Sequence, residues 1–206
     1  TEAPAVRSAA IAAKQKLLRL AARELGVRRR ELTFEGPTIA ARGGKRISVA
    51  KLVQGQRRGE VIGVGVRGPN PGDRAISPFA AQFCEVEVDT RTGEVRVLRF
   101  VGAHESGRVL DRLTFDSQVI GGITMGIGFG MTEARVLDRE QTGKLVNRSW
   151  HDYKLPTCLD VPAQIRSIVV DAPDPGANNT GAKGLGEPVT IPTAAAIASA
   201  IHDACG

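Results

Sequence analysis

One carboxylate in the sequence is placed where it could exchange a proton with a ligand. Residues 181–188 contain three glycines followed by Glu187, and glycine lets a backbone turn sharply or approach a ligand closely. A helix is predicted over 191–204, with Thr190 as its cap and Pro192 in its first turn. Glu187 is therefore expected on a tight loop just before a helix. Two interpretations remain open: a carboxylate presented to a ligand, or one that interacts with the helix dipole.

A second stretch, 114–133, combines a predicted helix with five glycines. Each glycine costs roughly 1 kcal/mol relative to alanine inside a helix. Gly122, Gly126 and Gly130 are spaced four apart, so they share one face of the helix. That face carries no side chains. Either another part of the protein packs directly on it, or a flat ligand lies there.

The remaining residues with metal-binding or nucleophilic chemistry lack a useful spacing. His104 and Glu105 are adjacent, but no second ligand follows at helical spacing, which favours an ordinary polar loop. Cys84, Cys158 and Cys205 are odd in number and far apart. This argues against a disulfide framework and against a zinc or iron–sulfur site. We therefore predict no metal ligand among the side chains.

The composition narrows the class of protein. A hydrophobic content of 42% and a charged content of 24% are typical of a globular chain. No apolar run reaches the roughly 18 residues of a membrane span, and no export signal is expected within the chain, which leaves a cytoplasmic or periplasmic location open. Only 4% of residues are aromatic, which disfavours nucleic-acid binding. The net charge of +6 then indicates one of two features: a solvated basic surface, or a docking face for an acidic partner or anionic ligand.

The elements that must position these residues are both helical and extended. The first 75 residues are predicted to form a helix-led lobe, beginning with an amphipathic helix over 5–25 that ends at Gly26. Shorter elements follow: strands over 31–34, 38–41 and 60–66, and a helix over 49–53 capped by Ser48. The loop 68–73 contains two prolines and two glycines, so it is the predicted boundary with a second domain, residues 76–206.

The second domain contains the clearest structural prediction. Residues 79–88 and 95–101 both alternate between apolar and polar side chains, and the turn sequence 89–93 separates them. This pattern is typical of a β-hairpin. A further strand is predicted over 165–170, with helices over 116–133 and from about 191. The fold class is therefore α+β, with mixed helices and antiparallel strands.

The glycine stretch also carries a family resemblance. Residues 181–188, GAKGLGEP, resemble the segment with the active-site glutamate in the molybdenum hydroxylases, the xanthine dehydrogenase and aldehyde oxidase family. Residues 118–128, QVIGGITMGIG, and 152–157, DYKLPT, fit the same family in the same order. The resemblance is strong over 79–206 and looser over the first 75 residues. It implies the fold of the C-terminal molybdopterin-binding part of the large subunit.

The resemblance also assigns a site. It implies molybdopterin carrying molybdenum, alone or as a dinucleotide, with Glu187 as the general base. Met125 stands where known members have a glutamine, and a thioether accepts hydrogen bonds only weakly, which points away from the purine-oxidising members. The residues implied to contact the cofactor are Gln118, Gly121, Gly122, Met125, Gly126, Lys183, Gly184, Leu185 and Gly186, with Thr1 and Ser8 near the start of the first helix.

The resemblance further implies that the chain works within an assembly. The expected partners are the remainder of the molybdenum-binding subunit and an iron–sulfur subunit or domain, with or without a flavin subunit. Such an enzyme would oxidise an aldehyde or an N-heterocycle with oxygen derived from water, and the isolated chain would be inactive. The alternative is a non-catalytic structural or interaction domain that retains the family fold.

Overall fold

The computed structural model describes residues 2–206. These residues group into two compact units. One comprises the chain up to Asn70 together with Asn178–Thr180, and the other comprises Pro71–Ala177 and Gly181–Gly206. The division into domains at residues 75 and 76 stays a prediction.

The first unit is a long helix with a small sheet. Helix α1 ends at Gly26, whose φ of 65° lies in the left-handed region that favours glycine. Leu18 and Ala21 of α1 are buried in the core of this unit with residues of the sheet and of α2. The elements are α1 (Ala3–Leu25), β1 (Leu32–Glu35), β2 (Thr38–Ala41), β3 (Arg46–Ser48) and α2 (Val49–Gln54), and the three strands are antiparallel.

Two details of this unit differ from the prediction. Strand β3 has three residues, too few to show an alternating pattern in the sequence. The strand predicted over 60–66 is wrong, because these residues pair with no other strand among residues 2–206. Gly63 and Gly65 instead lie directly against the backbone of α1. The predicted cap of α2 is confirmed, since the Ser48 side chain accepts a hydrogen bond from the Lys51 amide.

The second unit is built on a three-stranded sheet. Strands β4 (Phe79–Val88) and β5 (Val95–Glu105) form the predicted antiparallel hairpin, with a register irregularity between Glu85 and Val86. Strand β6 (Gln164–Val169) lies on the other side of β5 and runs parallel to it. The predicted α+β class is confirmed, with this one parallel pair in addition to the antiparallel ones.

Two helices complete the second unit. Helix α3 (Arg112–Ile127) begins where the Asp111 side chain accepts a hydrogen bond from the Thr114 amide, and a π-helical turn (Gly128–Thr132) extends it. Helix α4 (Thr193–Cys205) closes the chain. The core between helices and sheet contains Phe100, Phe115, Val119, Ile123, Ile127, Val189 and Ile197.

The start of α4 corrects the predicted cap. Glu187–Val189 forms a separate 3₁₀ turn, and the Thr190 amide donates to the Glu187 carbonyl at 2.8 Å. Thr190 therefore closes this turn, and Pro192 occupies the capping position of α4 without a side-chain hydrogen bond. Among the helices of residues 2–206, none is long and apolar enough to cross a membrane.

Candidate functional site

Glu187 lies on the surface of the second unit. It is the first residue of the 3₁₀ turn, and its side chain is exposed. Within residues 2–206 its carboxylate makes no hydrogen bond or ion pair, whereas most acidic side chains of the second unit have a partner. Both carboxylate oxygens are therefore accessible, as the first interpretation of the sequence requires.

The loop that leads to Glu187 is fixed by the end of β5. The Arg108 amide donates to the Gly181 carbonyl at 2.7 Å, and the Lys183 amide donates to the Ser106 carbonyl at 2.6 Å. Gly107, with a φ of 67°, lies between these two bonds. A Cβ on Gly107 would stand 2.3 Å from the Gly181 oxygen. Only glycine lets the two backbones approach this closely.

A nearly buried ion pair adds to this attachment. The Lys183 ammonium lies 2.8 Å from the Glu105 carboxylate, and both side chains are 12% exposed. The ammonium also donates to the Ser77 carbonyl at 3.1 Å and lies 3.8 Å from Asp174. Its partners are thus residues of the same unit, and the side chain anchors the loop. Contact between Lys183 and a cofactor stays a prediction.

A buried polar cluster lies beneath the turn that carries Glu187. The Gln82 amide donates to the Val189 carbonyl at 2.7 Å, and its oxygen accepts from the Thr193 hydroxyl at 2.7 Å. The same amide nitrogen lies 3.2 Å from Nε2 of His104. All three side chains are buried. Gln82 thereby joins β4 to the last residue of the turn and to the first residue of α4.

His104 completes this cluster, and its burial favours the neutral form of the imidazole. It is fully buried, and burial lowers the pKa of its imidazole because desolvation disfavours the charged form. Its Nδ1 has no hydrogen-bond partner among the described residues. The sequence contained a signal for this cluster: Gln82 is polar but shares the inward-facing side of β4 with Cys84, Val86 and Val88. Neither Gln82 nor Thr193 was identified from the sequence.

One side of α3 brings further predicted residues to the same region. Gln118 and Gly121 are exposed, and Met125 is half exposed. The Gln118 side-chain amide donates to the Gly186 carbonyl at 3.1 Å. This hydrogen bond connects α3 to Gly186, the residue directly before Glu187. The structure therefore brings Gln118, Gly186 and Glu187 together.

The glycine face of α3 corrects another expectation. A Cβ on Gly122 would lie 2.0 Å from a methyl carbon of Val189, and one on Gly126 would lie 2.3 Å from the Thr193 Cβ. The corresponding distance from Gly130 to the Ala194 Cα is 3.3 Å. The 3₁₀ turn and α4 thus cover this face. These contacts leave no room for a ligand on the glycine face. The prediction of a ligand there is therefore wrong, and the packing alternative is confirmed.

In the rest of the glycine stretch, one side chain is packed and two glycines are exposed. Leu185 packs against the core of the second unit. Gly184 and Gly186 are exposed, and no atom lies within 4 Å of the position of a Cβ on Gly186. The backbone on both sides of Leu185 is therefore open, while the leucine side chain holds the stretch in place. Contact of these three residues with a cofactor stays a prediction.

Two clefts of the second unit lie near these elements. A cleft of about 310 Å³ borders Gln118, Lys183 and Leu185 and extends to Ser106 and Thr114. A larger cleft, of about 780 Å³, lies beyond the C-terminal end of α3 and contains none of the predicted site residues. The smaller cleft is the better candidate for the site, because three predicted residues line it.

The residues predicted near the start of α1 belong to the first unit. Ser8 is the sixth residue of the helix, beyond the first turn where backbone amides are free. Its hydroxyl accepts a hydrogen bond from the Asn179 side chain at 2.9 Å, and Asn179 also donates to the Pro4 carbonyl. Ser8 therefore offers no free backbone amide, and contact between Ser8 and a cofactor stays a prediction. Thr1 lies outside the described residues.

No metal-binding cluster is formed by the described side chains. Across residues 2–206, no group of three His, Cys, Asp or Glu residues is arranged to hold a metal ion.

Comparison with known protein families identifies a match over most of the chain. Residues 1–162 match the family model described as a molybdopterin cofactor-binding domain. Glu187 lies outside this range.

The chain is similar in sequence to two molybdenum-binding subunits. The aldehyde oxidoreductase molybdenum-binding subunit PaoC of Escherichia coli (strain K12) is 41% identical over 130 residues, which cover 63% of this chain and 18% of that protein. The xanthine dehydrogenase molybdenum-binding subunit of Escherichia coli O157:H7 is 32% identical over 212 residues, which cover 99% of this chain and 27% of that protein. The chain thus spans less than a third of the length of the relatives it matches.

A solved structure agrees with these relatives. Reconstituted CO dehydrogenase from Oligotropha carboxidovorans is similar to this chain with a TM-score of 0.79 and 25% sequence identity. The match covers 95% of this chain and 25% of the solved chain. Almost all of the described fold is therefore shared with one part of a larger protein.

Proposed function

Because the chain belongs to the family of molybdopterin cofactor-binding domains, we propose that it contributes the general base to a molybdenum-dependent hydroxylase. The base is Glu187, and the reaction is the oxidation of an aldehyde or N-heterocycle with oxygen derived from water. The observation that carries this proposal is an accessible carboxylate without a partner, next to open glycine backbone and to Gln118 on α3.

The residues around Glu187 fit molybdopterin. A cofactor with many polar groups is well held by backbone that it can approach closely. Gly121 and Gly186 each have open space in the direction of a side chain, and Gly184 is exposed. Gln118 adds a side-chain amide beside them. When bound, the cofactor supplies the molybdenum centre that activates oxygen from water and accepts two electrons from the substrate.

Glu187 is suited to proton transfer because it is accessible and well positioned. A general base must have an oxygen free to accept the proton, and its carboxylate has no competing partner within the described residues. It must also be held in place by the structure around it. The backbone bonds of the loop 181–183 and the bond from Gln82 to Val189 fix the chain on both sides of the glutamate.

The assembly is proposed on the names of the relatives. Both compared Escherichia coli proteins are named as molybdenum-binding subunits, which supports a role for this chain inside such a subunit. The remainder of that subunit would then complete the cofactor pocket. Iron–sulfur centres, and flavin where it is used, would lie on other chains or domains. The half-exposed Met125 fits an aldehyde-type substrate better than a purine.

The molybdenum content of the complete subunit tests this proposal. The purified subunit is expected to contain close to one molybdenum per polypeptide and to reduce a dye acceptor when an aromatic aldehyde is supplied. A structural or interaction domain would purify without molybdenum and without aldehyde-dependent reduction. That result, obtained in cells that load molybdopterin into a control hydroxylase, would contradict the proposal.

A further inference from the structure

Residues 61–67 of the first unit form an unpaired segment that lies against α1. A Cβ on Gly63 would lie 2.0 Å from the Ala9 carbonyl oxygen, and one on Gly65 would lie 2.3 Å from the Ala5 carbonyl oxygen. Larger residues at these two positions would collide with the helix. The glycines therefore let the segment lie flush against α1.

These contacts also define the conformation of the segment. From Gly63 to Gly65 the contact moves back along α1 by one turn, from Ala9 to Ala5. Four helical residues rise by about 6 Å, and two residues of a β-strand cover nearly the same distance, about 6.6 Å. The segment is thus extended and runs antiparallel to the helix. It has the geometry of a strand without a neighbouring strand.

The other side of the segment is apolar and open. Ile62, Val64 and Val66 alternate with the two glycines, and their exposures are 54%, 74% and 77%. Within residues 2–206, the only hydrogen bond to the backbone of 61–67 is the one that the Ile62 carbonyl accepts from Lys16. Three β-branched side chains on one side of the segment and a row of unpaired amides are the properties of an edge strand that pairs with another strand.

We propose that segment 61–67 pairs with a β-strand from the remaining part of the molybdenum-binding subunit. The inference rests on the proposed function in so far as it takes the chain to be part of that subunit. The added strand would satisfy the free backbone groups of 61–67, and the polypeptide that carries it would cover Ile62, Val64 and Val66. This docking edge explains why a sequence pattern typical of a strand forms no ladder among residues 2–206.

The source of the added strand follows from length and charge. The chain spans only 18% and 27% of the two compared relatives, so most of such a subunit lies outside it. Residues 1–70 contain fifteen Lys or Arg and five Asp or Glu residues, a formal net charge of +10. A second copy would place this charge against itself, which disfavours self-pairing. The incoming strand is therefore expected to have acidic residues in or beside it.

Hydrogen exchange of the complete subunit tests the docking edge. The amides of 61–67 should exchange about 100-fold or more slowly than in an unstructured chain, since paired strand amides open rarely. Within residues 2–206 of this chain the same amides donate no hydrogen bond. Exchange at unstructured rates in the complete subunit would overturn the proposal. Protection that disappears when the subunit is diluted would also overturn it, because the occupant would then be a second copy.

Substitutions at Val64 provide the matched comparison. Val64→Asp places a charge on the covered face and should lower the Tm of the complete subunit and remove the protection of 61–67. Val64→Thr keeps the β-branched shape and should retain both properties. If the aspartate variant does not fold, the exchange of the parent protein still decides the question. Hydrogen exchange of 61–67 is measured without substrate or cofactor. Its result therefore does not depend on the molybdenum content or the turnover, which test the proposed function.

Discussion

The accessible carboxylate of Glu187 depends on buried groups that are remote in sequence. Gln82 is 107 residues from Val189 and 111 residues from Thr193, and its side chain binds both. The exposed glutamate was identifiable from its own neighbours, because three glycines and a following helix set it apart. No local pattern could show that Gln82 and Val189 meet, since that contact exists only after β4, α3 and α4 pack together.

Replacement of Gln82 by leucine is expected to destabilise the protein. The Val189 carbonyl and the Thr193 hydroxyl would each lose the short bond to Gln82 inside the core. A buried polar group left without a partner costs about 1–3 kcal/mol. Urea denaturation of Gln82→Leu should therefore show a loss in that range. The matched control is Glu87→Gln on the same strand, which breaks an exposed ion pair with Arg96 and should cost less than about 1 kcal/mol. Equal stability of the leucine variant and the parent would contradict this role.

Helix α3 was predicted from the sequence, but the partner that contacts each of its faces was not. Its glycine spacing correctly predicted a face without side chains, but left packing and ligand contact equally open. The structure decides for packing, because Val189, Thr193 and Ala194 occupy that face. Gln118, one turn before Gly122, and Met125, next to Gly126, remain exposed. Periodicity gives the faces of a helix, whereas the partner of each face depends on the rest of the fold.

Two glycines of α3 give a direct test of this assignment. Gly126→Ala would bring a methyl group to 2.3 Å from the Thr193 Cβ, so overpacking is expected to cost about 1–3 kcal/mol. Gly121→Ala is the control in the same helix, because nothing lies within 4 Å of its added methyl. It should be neutral or stabilise by up to about 1 kcal/mol, since alanine is the better helix former. The two variants are compared by thermal and denaturant unfolding, and equal effects would show that the glycine face is not packed.

Short and unpaired elements were the least predictable. Strand β3 has too few residues to show an alternating pattern. The prediction of Thr190 as the cap of α4 was wrong because an additional 3₁₀ turn precedes that helix. Residues 60–66 have a strand-like pattern but no partner strand in the part of the chain that the structure describes. The β4–β5 hairpin was predicted well because its pattern and its turn are both local.

At the scale of the whole molecule, several apolar side chains are exposed on the surface. Helix α3 exposes Leu113 at 79% and Ile120 at 42%, and the turn that follows it exposes Phe129 at 60%. With segment 61–67 in the other unit, these surfaces are consistent with a chain that spans less than a third of its relatives. On the proposed function the candidate site is one wall of a pocket, so its chemistry is to be measured in the complete subunit.

The most direct test is the reductive half-reaction of Glu187→Gln in the complete, cofactor-loaded enzyme. The glutamine is nearly isosteric, and the loop is held by the backbone and by Lys183, so the fold and the molybdenum content should be unchanged. An amide cannot accept the proton, and the loss of a general base typically slows a reaction by about 10²–10⁴-fold.

Glu85→Gln is the matched control, because Glu85 is an exposed glutamate on β4 paired with Arg99. This variant should be reduced by substrate at nearly the parental rate. The central claim predicts that only Glu187→Gln loses about two orders of magnitude or more in the rate of reduction by substrate. Reduction of Glu187→Gln within a few-fold of the parental rate, at equal molybdenum content, would contradict the assignment of Glu187 as the general base.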